Sequence, residues 1–262
     1  MPHLWPLEPM VALSGLLVGL LVGQTGMGGG SLMTPILVLL FSVHPATAVG
    51  TDLLYASVTK TAGTLVHGLN GTVQWRIVRR LATGSVPATA ATLLLLSHVN
   101  LGGGVGSDII SITLGLMLVL TALSLVFRQP FLNLVGPRLD RLPPRRIAAL
   151  TVAVGVLLGV LVTISSVGAG AIGVTALLLL YPRTRMSVIV GSDIAHAVPL
   201  TLVAGLGHWW MGAVNLPMLG SLLAGSIPGI LIGSYLAVRV PEFVLRPILA
   251  LTLVVVGGRL VF

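Results

Sequence analysis

Cysteine is absent from the 262 residues, which excludes disulfides, thiolate metal sites and thiol nucleophiles. Charge is nearly as scarce. Lys+Arg number 14 and Asp+Glu 6, where a soluble domain of this length would carry roughly 65 charged side chains. Apolar residues take their place: 55% of the chain is hydrophobic and the mean hydropathy is +1.08. Such a composition belongs to a chain solvated largely by lipid and excludes soluble enzymes and nucleic-acid binders. A net charge of +8 implies a polyanion partner only if it gathers on a soluble face. No soluble domain is present to offer one, so the placement of the basic residues must account for it.

Apolar runs bounded by turn residues predict an all-α integral membrane protein with ten hydrophobic segments. They fall at about 10–25, 31–42, 46–69, 75–97, 108–127, 147–164, 171–181, 186–208, 216–238 and 246–262. No Lys or Arg precedes the first run in MPHLWPLEP, so that run is expected to stay rather than be cleaved as a secretory signal. The one long break, 128–146, reads RQPFLNLVGPRLDRLPPRR. It is expected to be a basic cytoplasmic connector between an N-terminal repeat, 1–127, and a C-terminal repeat, 147–262. Two segments, 31–42 and 171–181, are too short for a hydrocarbon core that needs about 20 helical residues. Each follows a glycine-rich break, GQTGMGGGS (Gly23 to Ser31) or SSVGAGAIG (Ser165 to Gly173). Matched interrupted segments are the pattern of a transporter built from internal repeats.

A shift of 141 residues tests the repeat without gaps. It places Gly50-Thr51-Asp52 on Gly191-Ser192-Asp193, His67 on His208, Gly71 on Gly212, and Gly84-Ser85-Val86-Pro87 on Gly225-Ser226-Ile227-Pro228. Apolar bias aligns Leu with Val; it does not align Asp, His and a GSxP motif in one register. With five segments per half the repeats are inverted. Arg76, Arg79, Arg80, the connector arginines, Arg183, Arg185, Arg239 and Arg246 then share one side. The positive-inside rule makes that side cytoplasmic and puts both termini outside.

Backbone exposed inside a membrane survives only where protein or a water-filled cavity satisfies it. The breaks are therefore the first binding candidates: Gln24, Thr25, Gly28, Gly29, Gly30 and Ser31 in one half, Ser165, Ser166, Gly168 and Gly170 in the other. A helix starting after such a break directs free N–H groups and the positive end of its dipole at an anion; alternatively the glycines serve close helix packing. Asp52 and Asp193 read either as helix N-terminal caps or as coupling groups within the membrane. Lys60, the only lysine, shares a helix face with Asp52, as its ion-pair partner or as a cation for substrate. His67 and His208 are interfacial residues or proton relays. Trp5, Trp75, Trp209 and Trp210 read as interfacial anchors. No nucleophile elbow, HExxH pair or metal-ligand spacing appears, so neither enzyme, cofactor nor metal is expected.

The motifs GxxxGQTGMGGGSLMTPILV and HPATAVGTDLLYASVTKTAGTLVHGLNGTVQW resemble the TauE/SafE sulfite exporter family of membrane permeases. SSVGAGAIGVTALLLLYP and MSVIVGSDIAHAVPLTLVAGLGH resemble its second repeat. The resemblance implies passage of a small sulfur oxyanion or organosulfur anion, such as sulfite or sulfoacetate, across a bacterial or archaeal inner membrane without an ATPase. By position it carries the glycine-rich motifs to Gly26–Ser31 and Gly168–Gly170, and the Gly-Thr-Asp type triplets to Asp52 and Asp193. One departure is Gly-Ala-Gly in the second break against Gly-Met-Gly-Gly-Gly in the first. The expected mechanism is alternating access about a central anion, with Asp52, Asp193 or His67 taking a proton in a coupled cycle. A passive anion channel or a membrane assembly partner are the alternatives; membrane lipids and a second copy of the chain are the expected macromolecular partners besides the anion, with no nucleic acid.

Overall fold

A computed structural model describes residues 8–25, 30–98, 105–139 and 141–236. Ten helices run through them, with no strand among the described residues: α1 (Pro9–Thr25), α2 (Gly30–Leu39), α3 (Pro45–Leu69), α4 (Trp75–Ser97), α5 (Val105–Val126), α6 (Arg128–Leu139), α7 (Pro144–Ser165), α8 (Ala171–Leu180), α9 (Met186–Trp210) and α10 (Leu216–Leu236). Nine of them coincide with apolar runs read from the sequence; the tenth run, 246–262, lies outside the described residues. The connector expected to be polar is largely helical, as α6. Its Phe131 and Leu134 stay exposed, in the manner of a helix lying along an interface rather than crossing it.

Local chemistry sets the helix ends. Pro45 opens α3 and Pro144 opens α7, where a missing N–H costs nothing and the ring fixes a helical φ. Both α3 and α9 end in the same left-handed glycine turn. Gly71 and Gly212 sit at φ +64° and +74°, and the next amide reaches back five residues: Thr72 N–H to the His67 carbonyl and Ala213 N–H to that of His208, each at 2.9 Å. This Schellman-type closure explains why His and Gly recur four apart in both halves.

Among the described residues three helices, over Asp108–Val126, Pro144–Ser165 and Met186–Trp210, are long and apolar enough to cross a membrane by length and composition. The surface is apolar: Leu13, Leu94, Leu116, Leu157, Leu206 and Leu231 are all exposed, while Asp52, Lys60, Asp193, His196 and His208 are buried. In water this inside-out distribution would be unstable; in lipid it is the expected one. Trp75 and the Trp209–Trp210 pair are exposed at the start of α4 and the end of α9, positions suited to the two membrane interfaces.

Helix pairs approach through glycine and small residues, as is common in lipid. A Cβ on Gly155 of α7 would run into the Leu81 carbonyl of α4, and one on Gly15 of α1 into the Leu222 carbonyl of α10. In the same way Gly159 meets the Ser85 carbonyl and Gly19 that of Ser226. Both pairs run parallel, since the contact positions rise together. The central pair α3 and α9 runs antiparallel: Gly50 packs on His208 and Ala213, and Gly191 packs on His67 and Thr72. Each helix start therefore faces the other's end. Asn215 N–H donates to Thr51 Oγ1 at 3.0 Å, and Gln74 N–H to Ser192 Oγ at 2.9 Å. Residues 141 apart thus make reciprocal contacts across the α3/α9 pair.

Candidate functional site

Asp52 and Asp193 are each seven residues beyond the first residue of α3 or α9, about two turns inside. Neither caps its helix. Both are buried, and their surroundings come from the other elements. Asp52 Oδ2 accepts hydrogen bonds from Thr34 Oγ1 of α2 and from Ser166 Oγ at 2.9 Å; Oδ1 has no hydrogen-bond partner among the described residues. Asp193 lies against the first turn of α8, where a Cβ on Gly173 would strike Oδ1. That oxygen too has no hydrogen-bond partner.

The second break is where the two halves meet chemically. Helix α7 ends at Ser166 in the left-handed region (φ +59°), and Gly168 and Gly170 follow at φ +120° and +130°. Glycine is required there, because a Cβ disfavours this backbone. Ser165 braces the loop from within, donating to the Leu161 carbonyl at 2.7 Å and accepting the Val167 N–H at 3.2 Å. Ser166 faces Asp52. The carbonyl of Ala169 accepts a hydrogen bond from Lys60 Nζ at 3.4 Å. Lys60 is buried, about two turns beyond Asp52 on α3. It bonds the break rather than pairing with Asp52 alone. At the far side of the break Gly170 precedes α8 with no side-chain cap on its first turn, so N–H groups of that turn remain to receive an anion.

The structure thus gathers Asp52, Lys60, Ser166, Gly168, Gly170 and Asp193 around one locus, and adds Thr34 and Gly173 to them. In the first break Gly28 and Gly29 lie outside the described residues, as do the side chains of Gln24, Thr25, Gly30 and Ser31. His208 is buried, with Nε2 on the Thr163 carbonyl at 2.9 Å, whereas the half-buried His67 bonds Thr72 Oγ1 through Nδ1 at 2.8 Å. Each histidine packs beside the glycine two residues ahead of the other half's aspartate. His208 is therefore a core residue, not an interfacial one.

Sequence reading missed two further groups. His196, one turn after Asp193, is buried with Nε2 at 2.9 Å from Ser85 Oγ, and its Nδ1 has no partner. In the equivalent place the Tyr55 hydroxyl faces Ser226 without reaching hydrogen-bond geometry. The signal was available: Ser85 and Ser226 are the serines of the GSxP motif that marked the repeat. Two apolar grooves of about 480 and 470 Å³ lie elsewhere, one between α5, α6, α7 and α8 and the other between α4 and α9. Neither includes the carboxylates.

The sulfite exporter TauE/SafE family profile matches residues 11–260, nearly the whole chain. This chain belongs to the TauE/SafE sulfite exporter family. Among the relatives of this TauE/SafE protein, the probable membrane transporter protein YjnA of Bacillus subtilis is 38% identical over 252 residues, 96% of this chain and 98% of the relative. The probable membrane transporter protein YdhB of the same organism is 26% identical over 255 residues, 97% of this chain and all of its own. A probable membrane transporter protein of Xylella fastidiosa is 27% identical over 230 residues, 86% of this chain and 83% of the relative. No solved structure matches this chain. Membership of TauE/SafE and the apolar helices make the chain a membrane transporter, and its relatives are named as transporters rather than enzymes.

Proposed function

We propose that this protein is a carrier that moves a small sulfur-containing anion, sulfite or an organosulfonate, across the cytoplasmic membrane by alternating access of two inverted halves. The observation that carries the reading is the junction at the second break. There the Ser166 hydroxyl donates to Asp52, the uncapped start of α8 lies against Asp193, and the Lys60 ammonium is held on the Ala169 carbonyl between these two points of the chain. A small oxyanion needs several directed N–H and O–H donors and modest positive charge, because tight binding would prevent release. With two carboxylates and one ammonium, the ionised locus carries an excess negative charge. An entering anion is repelled until one carboxylate takes a proton, which couples anion and proton in one step.

Inversion is supported by the reciprocal contacts. Antiparallel α3 and α9 with parallel α4/α7 and α1/α10 pairs are what a two-fold axis in the membrane plane produces. The orientation is supported by the basic residues. Arg80 Nη1 donates to Tyr181 Oη at 3.1 Å, Tyr181 Oη lies 2.8 Å from Thr151 Oγ1, and Arg128 Nη2 lies 3.2 Å from Met186 Sδ. These contacts draw the arginines of α4, the connector and the α8–α9 turn to one end of the bundle, which the positive-inside rule makes cytoplasmic.

Purified protein in liposomes loaded with unlabelled sulfite tests the reading. The expected result is saturable counterflow of labelled sulfite, accelerated by an inward proton gradient. Flux that does not saturate and shows no counterflow identifies a channel. No flux of sulfite, sulfoacetate, taurine or thiosulfate above protein-free liposomes overturns the proposed substrate class.

A further inference from the structure

Lys60 has no counterpart in the second half, where Thr201 stands and spends its hydroxyl on the Ala197 carbonyl of its own helix at 2.8 Å. One cation therefore serves two symmetry-related carboxylates. We propose that Lys60 is a tethered coupling cation, whose ammonium stands where a carrier with this acidic core would otherwise bind a diffusible monovalent cation. This rests in part on the carrier reading above.

The coordination chemistry is what points there. An ammonium has three N–H donors and no acceptor. One donor goes to the Ala169 carbonyl, in the unwound segment between α7 and α8. Two buried oxygens, Asp52 Oδ1 and Asp193 Oδ1, have no hydrogen-bond partner among the described residues, and both carboxylates border the same break, Asp52 through Ser166 and Asp193 against Gly173. Carbonyls of an interrupted helix together with carboxylates are the ligands from which carriers build sites for small cations. The Thr34 and Ser166 hydroxyls both donate to Asp52 Oδ2, which leaves Oδ1 as the oxygen open to a cation. The titratable group next along α9 is His196, one turn from Asp193, with Nε2 at 2.9 Å from Ser85 Oγ. A charge placed between two like seats, one from each half, has two arrangements, and the halves exchange those seats when the access side changes. Because the cation is covalently held, it makes that exchange without leaving.

Lys60→Thr tests this, since threonine is the residue at the equivalent place in the other half. In detergent, the wild type is expected to melt at the same temperature whether the salt is sodium, ammonium or choline chloride. The K60T protein is expected to melt several degrees lower in choline and to recover saturably with sodium or ammonium, which enter the vacated seat. K60T carrying also Asp52→Asn and Asp193→Asn is expected to lose that response. In liposomes, K60T flux in choline should fall at least about tenfold and return with the same cations. A K60T melting temperature indifferent to cation, or a wild type that itself requires sodium, overturns the proposal. Should K60T not survive purification, Lys60→Met with Asp193→Asn removes one charge of each sign; a cation response at the remaining Asp52 supports the proposal and its absence overturns it. The melting arm needs no substrate, so a wrong substrate class leaves this test intact.

Discussion

Asp52 spends one carboxylate oxygen on two hydroxyls, Thr34 from its own half and Ser166 from the other. A buried charge tolerates its desolvation only while such bonds hold. Thr34→Val and Ser166→Ala are each expected to lower stability by about 1.5–3 kcal/mol, read from denaturant unfolding in micelles. The double variant should lose less than the sum, because both donors share one oxygen. The carboxylates and Lys60 were legible in the sequence because charge is conspicuous in an apolar run. Thr34 was not. Thr59, Thr64, Thr92, Thr151 and Thr201 all return their hydroxyls to carbonyls of their own helix, the ordinary fate of threonine in a membrane helix. Nothing local separates Thr34 from them. The bond from Ser166 crosses 114 residues, and no periodicity within either run encodes it.

At the scale of elements, nine helices were legible because length and apolarity are enough to announce a helix in lipid. The α6 helix was hidden by its own composition: Pro130, Pro137, Gly136 and two arginines read as a loop, yet Pro130 sits in the first turn, where proline is tolerated. Glycine in a helix carries a different meaning by position. Gly155→Ala places a methyl against the Leu81 backbone of α4 and is expected to cost about 1–3 kcal/mol or more. Gly136→Ala meets nothing within 4 Å and is expected to be neutral or to stabilise α6 by up to about 1 kcal/mol. Thermal unfolding of the two variants side by side measures the contrast. Sequence alone marks both as helix-weakening glycines; the close crossing of α4 and α7 distinguishes them.

At the scale of the molecule, the absence of native cysteine makes each introduced thiol a clean reporter of sidedness. Arg79→Cys at the exposed start of α4 and Trp210→Cys at the exposed end of α9 should label oppositely with a membrane-impermeant maleimide. In intact cells Cys at 210 is expected to react and Cys at 79 to react only after lysis. The reverse result would turn the orientation over. A single register of Asp, His and GSxP marks a repeat in the sequence, but the packing is not written there: α4 lies on α7 and α1 on α10, so the segments before the connector are completed by those after it. This cross-packing has a temporal cost. Helix α1 leaves the ribosome first, and α10 begins at Leu216, about 200 residues later. At synthesis rates of about 5–20 residues per second, α1 must wait on the order of 10–40 s in the bilayer for its mate. Throughout that interval its row of glycines is an open dimerisation face, available to insertion chaperones or to the α1 of another nascent chain.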